Sequence, residues 1–266
     1  MKLNQTLLAK VIDIAEKAGE IILQYYRTGV HVNLKPDDTP VTIADKAADQ
    51  YICTALASLC SIPYLSEESV HVAYENRKQW PMYWLVDPLD GTKEFIKNTG
   101  EFTVNIALIE GNKPVLGVVH LPAKSTTYAA YLGGGAYKSI DNQWDRLPCF
   151  ISNEPEKLIR VVASRSHNDQ ATENYIDSLK NKGYEIRLQP AGSSLKFCLV
   201  AEGKADCYPR LGPTMEWDIA AAIIICEEAG LSIKSLAFDR TLSFNKVDLL
   251  NPEFIVSNNK FTLLEA

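Results

Sequence analysis

Trp84-Leu85-Val86-Asp87-Pro88-Leu89-Asp90-Gly91-Thr92-Lys93-Glu94-Phe95 joins a buried-strand pattern directly to two carboxylates. Tyr83 to Val86 is apolar and rich in β-forming residues, so it suits a strand covered on both faces. Pro88 has no N–H for a sheet ladder and is expected to stop the strand. Gly91 permits a tight turn. Thr92 opens a segment that can start a helix, with amides free to face an anion. Carboxylate oxygens for a cation and N–H groups for a phosphate therefore stand side by side, as metal-assisted phosphoryl chemistry requires.

Toward the N-terminus, Leu7, Leu8, Val11, Ile12, Ala15, Ala18, Ile22 and Tyr26 recur at helical spacing, with Gly29 as a stop. Lys35 to Pro40 is a turn-rich loop, and a second helix is expected from Asp45 to about Leu59. Ile62 to Ser66 reads as a short strand with Glu67-Glu68 at its end, and Val70 to Gln79 as a charged, helical or irregular piece. Beyond the opening stretch, Thr103 to Glu110 and Pro114 to His120 flank Gly111-Asn112, a hairpin signal. Thr127 to Tyr131 and Gly135 to Tyr137 continue the meander, which makes the first half's sheet largely antiparallel.

Around Pro148 to Pro155 the composition turns polar, and a soft boundary is placed there. Residues 1–150 are then expected to form an α+β part with a largely antiparallel sheet, holding most of the candidate carboxylates, and residues 151–266 an α/β part. The second half alternates between strands Arg160–Ser164, Tyr184–Arg187 and Ala205–Tyr208 and helices Asp169–Asn181, Ser194–Glu202 and Trp217–Ala229. That alternation predicts layered α/β packing.

The chain has 266 residues and is 46% hydrophobic, enough for one large domain or two intimate ones. A net charge of −6 argues against a general nucleic-acid binder, though not against a local basic pocket. The six cysteines form no Cys-x-x-Cys pair and read as buried, reduced thiols. The N-terminal segment reads as an amphipathic helix, with no secretory signal visible. The longest apolar run, Ile219 to Cys226, is far short of the ~20 residues that span a bilayer. A cytoplasmic protein is expected, with peripheral attachment at the inner face of the membrane left open.

Aspartates also cap helices and stabilise turns, and Asp218, at the start of an apolar helix, suits such a cap. Glu67-Glu68 taken alone reads as a solvated pair. Taken together, the candidate ligands are all oxygen donors, with no His or Cys cluster, which favours Mg²⁺ over Zn²⁺ or copper. Asp87 and Asp90 are three apart, whereas haloacid-dehalogenase-type phosphatases space their carboxylates two apart and use the first as a nucleophile. A covalent aspartyl-phosphate is thereby disfavoured. No P-loop pattern is present, and Gly133-Gly134-Gly135 is read as a turn.

Trp84 to Thr92 and Trp217-Asp218-Ile219-Ala220-Ala221 resemble the two signature motifs of the inositol monophosphatase superfamily, and Ser66-Glu67-Glu68 resembles its third acidic element. Their order and spacing extend the resemblance over nearly the whole chain. Within the superfamily the chain is similar to the 3′(2′),5′-bisphosphate nucleotidases of bacterial sulfur assimilation. The resemblance implies a five-layered αβαβα sandwich and lithium-sensitive catalysis with two or three Mg²⁺ per site. It implies Glu67, Asp87, Asp90, Asp218 and the main-chain oxygen of Leu89 as metal ligands. Thr92 with Asp45 would orient and deprotonate a metal-activated water, Glu67 would assist, and the amides of Gly91 and Thr92 would hold the scissile phosphate.

Substrate choice rests on Ser193, Ser194, Lys196, Arg210 and His167. Lys196 on a helix and Arg210 in a loop would ordinarily be surface residues. Inositol-directed relatives, however, place an acid where Arg210 stands, and an arginine there suits a second phosphate. Lys196 would add charge, Ser193 or Ser194 a hydrogen bond, and His167 a contact to adenosine. Lys93-Glu94-Phe95 is also of the nucleotidase kind. Ala222 and Leu231 replace glycines common among relatives, which bears on helix packing more than on chemistry. The expected reaction is hydrolysis of adenosine 3′,5′-bisphosphate to AMP and phosphate, with 3′-phosphoadenylyl sulfate as a further substrate, by a monomer or homodimer. The rival readings are an inositol or sugar-phosphate phosphatase, and a Mg²⁺- and nucleotide-binding regulator without turnover.

Overall fold

Tyr83 to Val86 form the middle of a nine-residue strand, Met82–Asp90, inside a seven-stranded sheet. The computed structural model describes residues 2–28, 32–34, 40–68, 72–148, 155, 157–164, 170–237 and 242–258. The first half runs α1 (Gln5–Thr28), β1 (Val32–Leu34), β2 (Pro40–Thr42), α2 (Ile43–Leu59), β3 (Tyr64–Ser66), α3 (Tyr74–Arg77), β4 (Met82–Asp90) and α4 (Thr92–Ile96). A meander follows: β5 (Thr103–Glu110), β6 (Lys113–Leu121), β7 (Thr126–Tyr131), β8 (Gly135–Ile140) and β9 (Gln143–Arg146). The second half runs β10 (Leu158–Ser164), α5 (Gln170–Asn181), β11 (Glu185–Ala191), α6 (Leu195–Ala201), β12 (Cys207–Arg210), α7 (Glu216–Glu228), β13 (Ser232–Ser235) and β14 (Phe254–Ser257).

The larger sheet has the order β3-β4-β5-β6-β7-β8-β9. It is antiparallel throughout except for the β3–β4 pair. Alternation along β4 sorts its two faces. Trp84 and Val86 pack with Val11, Ile22, Ile52 and Leu56 of α1 and α2. Tyr83 and Leu85 pack with Val200 of α6 and Ile219 and Ile223 of α7. The second sheet, ordered β11-β10-β12-β14-β13, gives Val162 and Phe254 to that same inner core. Its Val161 faces Ile176 and Leu179 of α5. The layers are therefore α1/α2, sheet, α6/α7, sheet, α5, the expected αβαβα order.

Helix α7 is buried nearly all round, as Ala220 to Cys226 foretell. Gly117 on β6 lets it come close, because a Cβ there would stand 2.3 Å from the Ala221 carbonyl oxygen. This close approach sets the depth at which α7 presents Asp218.

One expectation needs correction. Pro88 does not stop the strand: β4 continues to Asp90, and its pairing with β5 shifts register between Asp87 and Asp90. The N–H of Leu89 donates to Asp87 Oδ1 at 3.0 Å instead of entering the ladder. Proline is thus accommodated in a bulge, where no ladder donor is needed. Strands β9, β13 and β14 carry no strong sequence signal and were not expected.

Candidate active site

The β4 bulge places Asp87 inside the core face while the chain turns out at Gly91. Gly91 has φ +89°, and a Cβ there would lie 3.2 Å from that of Ser193. Glycine is needed both for the backbone and for this close approach. Glu67, just past β3, and Asp218, in the first turn of α7, meet Asp87: one carboxylate oxygen from each lies within 4.8 Å of the others. Asp218 is not the N-cap itself, which is Met215, but the third residue of α7, and its Oδ2 reaches back to accept from the Met215 N–H at 2.8 Å. Cap and cluster use one side chain for both purposes.

Burial first, then the charges of Glu67, Asp90 and Asp218, hold the Asp87 carboxyl well above the usual carboxylate range. Burial and then Asp90 push Asp218 up in the same way. Neither residue has an ion-pair partner among the described residues. Three crowded carboxylates are unfavourable unless a positive charge lies between them, and their oxygens suit a hard divalent cation. The residues present therefore fit a metal.

Asp90 stands beside this group rather than in it. Its Oδ2 accepts from the Ser194 N–H at 2.6 Å and the Ser194 hydroxyl at 2.8 Å. Its Oδ1 has no hydrogen bond among the described residues. The Leu89 carbonyl accepts a long bond, 3.4 Å, from the Thr92 hydroxyl. That hydroxyl also reaches Asp45 Oδ1 at 3.2 Å, so the expected Thr–Asp pair is brought together. Asp45 Oδ2 accepts from both the N–H and the hydroxyl of Thr42, capping α2. Burial raises the Asp45 pKa despite these donors.

A cavity of about 480 Å³ opens from Asp90, Gly91 and Asp218 toward Ser193, Lys196 and Arg210. Ser193 has φ +44°, and its buried hydroxyl has no hydrogen-bond partner among the described residues. Lys196 is not a surface residue: it is 7% exposed, donates to the Ser193 carbonyl at 2.8 Å and lies 5.7 Å from the Tyr208 ring centre. Burial lowers its pKa to about 8. Arg210 ends strand β12 rather than lying in a loop. Its Nη2 donates to the Pro213 carbonyl at 2.6 Å, its guanidinium stands beside the Tyr208 hydroxyl, and its Nε is buried without a hydrogen bond among the described residues. His167 lies outside the described residues.

Sequence reasoning missed Asn105, whose Nδ2 donates to the Ser194 hydroxyl at 2.9 Å and reaches Asp90 at 3.4 Å. The signal was an asparagine inside the otherwise apolar run of β5. Glu101 was also missed: its Oε2 accepts from the Gly192 N–H at 3.0 Å and ties down the turn before Ser193. No local pattern announces that contact, which spans ninety-one positions.

The model of the inositol monophosphatase family matches residues 3–265. The 3′(2′),5′-bisphosphate nucleotidase CysQ of Salmonella typhimurium is 45% identical over 255 residues, covering 94% of this chain and 99% of that one. The nucleotidase of the same name from Aggregatibacter actinomycetemcomitans is 41% identical over 257 residues, covering 96% and 93%. Among solved structures, CysQ from Bacteroides thetaiotaomicron superposes with a TM-score of 0.85 at 43% identity, covering 96% and 97%. An inositol monophosphatase of Thermotoga maritima shares the fold, with a TM-score of 0.74 at 23% identity.

Proposed function

The chain belongs to the inositol monophosphatase family, and from that premise we propose that it is a 3′(2′),5′-bisphosphate nucleotidase, converting adenosine 3′,5′-bisphosphate and water to AMP and phosphate. The observation that carries this reading is one cavity lined by the carboxylates Asp90 and Asp218 together with the cations Lys196 and Arg210. Such a cavity suits a substrate with two phosphates. The sulfated nucleotide 3′-phosphoadenylyl sulfate fits the same two anchors.

Glu67, Asp87, Asp90, Asp218 and the Leu89 carbonyl would hold Mg²⁺, two or three ions per site, by the donor chemistry above. When bound, the cation supplies Lewis-acid withdrawal of charge from the phosphoryl oxygens. The Thr92 hydroxyl orients the attacking water and passes its proton to Asp45, whose burial makes it a stronger acceptor than an exposed aspartate. The new P–O bond forms to water as the bond to the sugar 3′-oxygen breaks, and that oxygen leaves as the 3′-hydroxyl of AMP by taking a proton from solvent, with no covalent enzyme intermediate. Backbone N–H groups of Gly91 and Thr92 and the unpartnered Ser193 hydroxyl steady the transferred phosphoryl group. Ser194 fixes Asp90. Lys196 and the Arg210 guanidinium, whose Nε has no hydrogen bond among the described residues, take the second phosphate.

No described helix is long and apolar enough to cross a membrane. The described cysteines are free thiols, which favours a reducing, cytoplasmic setting. A phosphate-release assay comparing adenosine 3′,5′-bisphosphate with inositol 1-phosphate tests the assignment. Preference for the inositol ester by more than about tenfold in kcat/KM would remove it.

A further inference from the structure

Glu94 is an acid in a cavity built for anions. It lies on α4, half-buried, in the wall of the active-site cavity. Its carboxylate has no hydrogen bond or ion pair among the described residues, although its charge is felt at Lys196. An ordinary surface glutamate would need no room made for it. Here it is enclosed from two sides by glycines, although Gly192 also passes close to the Glu101 backbone and Gly91 is also required by its φ of +89° and by Ser193. The backbone of Gly192 is not in the left-handed region, so its dihedrals do not demand glycine. Space does: a Cβ there would stand 2.6 Å from Glu94 Cγ. On the other side, a Cβ on Gly91 would lie 3.3 Å from Glu94 Oε2. Two glycines from distant segments thus flank the Glu94 side chain.

A negative charge beside a phosphate site repels the ligand unless a neutral donor on that ligand needs an acceptor. Glu94 adjoins Gly91, whose amide is proposed above to hold the reacting phosphate, and its charge reaches Lys196, proposed above for the other phosphate. On the nucleotidase reading the sugar lies between those two anchors, and the donor next to the reacting ester is a hydroxyl. Building on the nucleotidase reading, we infer that the Glu94 carboxylate is a specificity-determining acceptor for the ribose hydroxyl vicinal to the scissile phosphate. For a 3′-phosphate that group is the 2′-hydroxyl, and for a 2′-phosphate the 3′-hydroxyl, so one acceptor serves both esters.

The test measures kcat/KM for adenosine 3′,5′-bisphosphate and its 2′-deoxy analogue, in the wild type and in Glu94→Ala, at saturating Mg²⁺. The wild type should favour the ribonucleotide by about tenfold to a hundredfold, the range for a charge-assisted hydrogen bond. In Glu94→Ala that ratio should fall to within about threefold of unity. Loss of the negative charge relieves repulsion of both substrates alike and cancels in the ratio, which therefore isolates the hydroxyl contact. Glu94→Gln keeps the shape and should show an intermediate ratio, which supplies the reading if the alanine variant does not fold. An unchanged ratio in both variants, or a wild type indifferent to the hydroxyl, overturns the inference. So does a shift in Mg²⁺ half-saturation with the ratio intact, which would make Glu94 a metal ligand. A wild type that cleaves inositol 1-phosphate but neither nucleotide defeats the nucleotidase reading itself, a distinct result.

Discussion

Replacing Asp45 by Asn should separate catalysis from stability. Asp45 Oδ2 accepts from the Thr42 N–H at 2.8 Å and from the Thr42 hydroxyl, while Oδ1 accepts from the Thr92 hydroxyl at 3.2 Å. An asparagine has one acceptor oxygen, and the Thr42 N–H can only donate, so that oxygen must stay beside Thr42. The amide NH₂ then faces Thr92, whose hydroxyl must accept and turn its proton toward the Leu89 carbonyl, 3.4 Å away. The path for the water's proton is reversed. General-base catalysis contributes about 10²–10⁴-fold, so kcat should fall by that factor, about 3–5 kcal/mol of barrier. KM should change little, because Lys196 and Arg210 are untouched. Stability moves the other way. Burial raises the Asp45 pKa above its unfolded value, so within that window the folded protein holds the extra proton. Stability is then present at low pH and lost as pH rises through the folded pKa. A neutral Asn escapes that loss, so Tm at neutral pH should be unchanged or higher. The assay is phosphate release from adenosine 3′,5′-bisphosphate, beside thermal melts. Adding Thr92→Val should cost little more, since the pair acts as a unit. A kcat within about threefold of wild type, a defect confined to KM, or additive losses would refute the proton path.

Arg210→Glu should reduce kcat/KM for the bisphosphate by about 1.5–3 kcal/mol, about tenfold to a hundredfold, mostly through KM. Unchanged nucleotide kinetics would remove Arg210 from the second-phosphate site. Because burial lowers the Lys196 pKa to about 8, its charge is lost as pH rises through that value, and kcat/KM for the bisphosphate should fall there. Lys196→Met should abolish this alkaline limb, and a limb that persists in the variant counts against the assignment. Asp87→Asn should fold, lose most Mg²⁺-dependent turnover, and melt higher than wild type in chelator, because it relieves crowding with Glu67, Asp90 and Asp218. Retained turnover would show that Asp87 is not a ligand.

Much of the site was legible because its parts are local. The Asp87–Thr92 turn, the Gly111-Asn112 hairpin and the buried α7 each carry their own pattern over a few residues. The six-residue β4–α4 junction already placed carboxylates next to a turn. What escaped was set by distance in the chain. Lys196 looked like a surface lysine because nothing nearby shows that the Ser193 carbonyl and the Tyr208 ring enclose it. Pro88 looked like a strand end because a bulge is decided by the partner strand, here Asn105 and Thr103 opposite Asp87 and Asp90. Strands β13 and β14 are four residues each, and the pairing of β13 with β14 and of β14 with β12 is a tertiary fact. Glu94 was noted only as part of a motif, and its role depends on the empty space left by Gly192, ninety-eight positions away.

Anomalous diffraction from crystals soaked in Mn²⁺ and inorganic phosphate tests the carboxylate cage most directly. The expected result is cation density contacting the Glu67, Asp87 and Asp218 oxygens at about 2.1 Å, with phosphate between the cation and Ser193. Saturating metal that binds elsewhere, with these three carboxylates left bare, would contradict metal-assisted hydrolysis at this site.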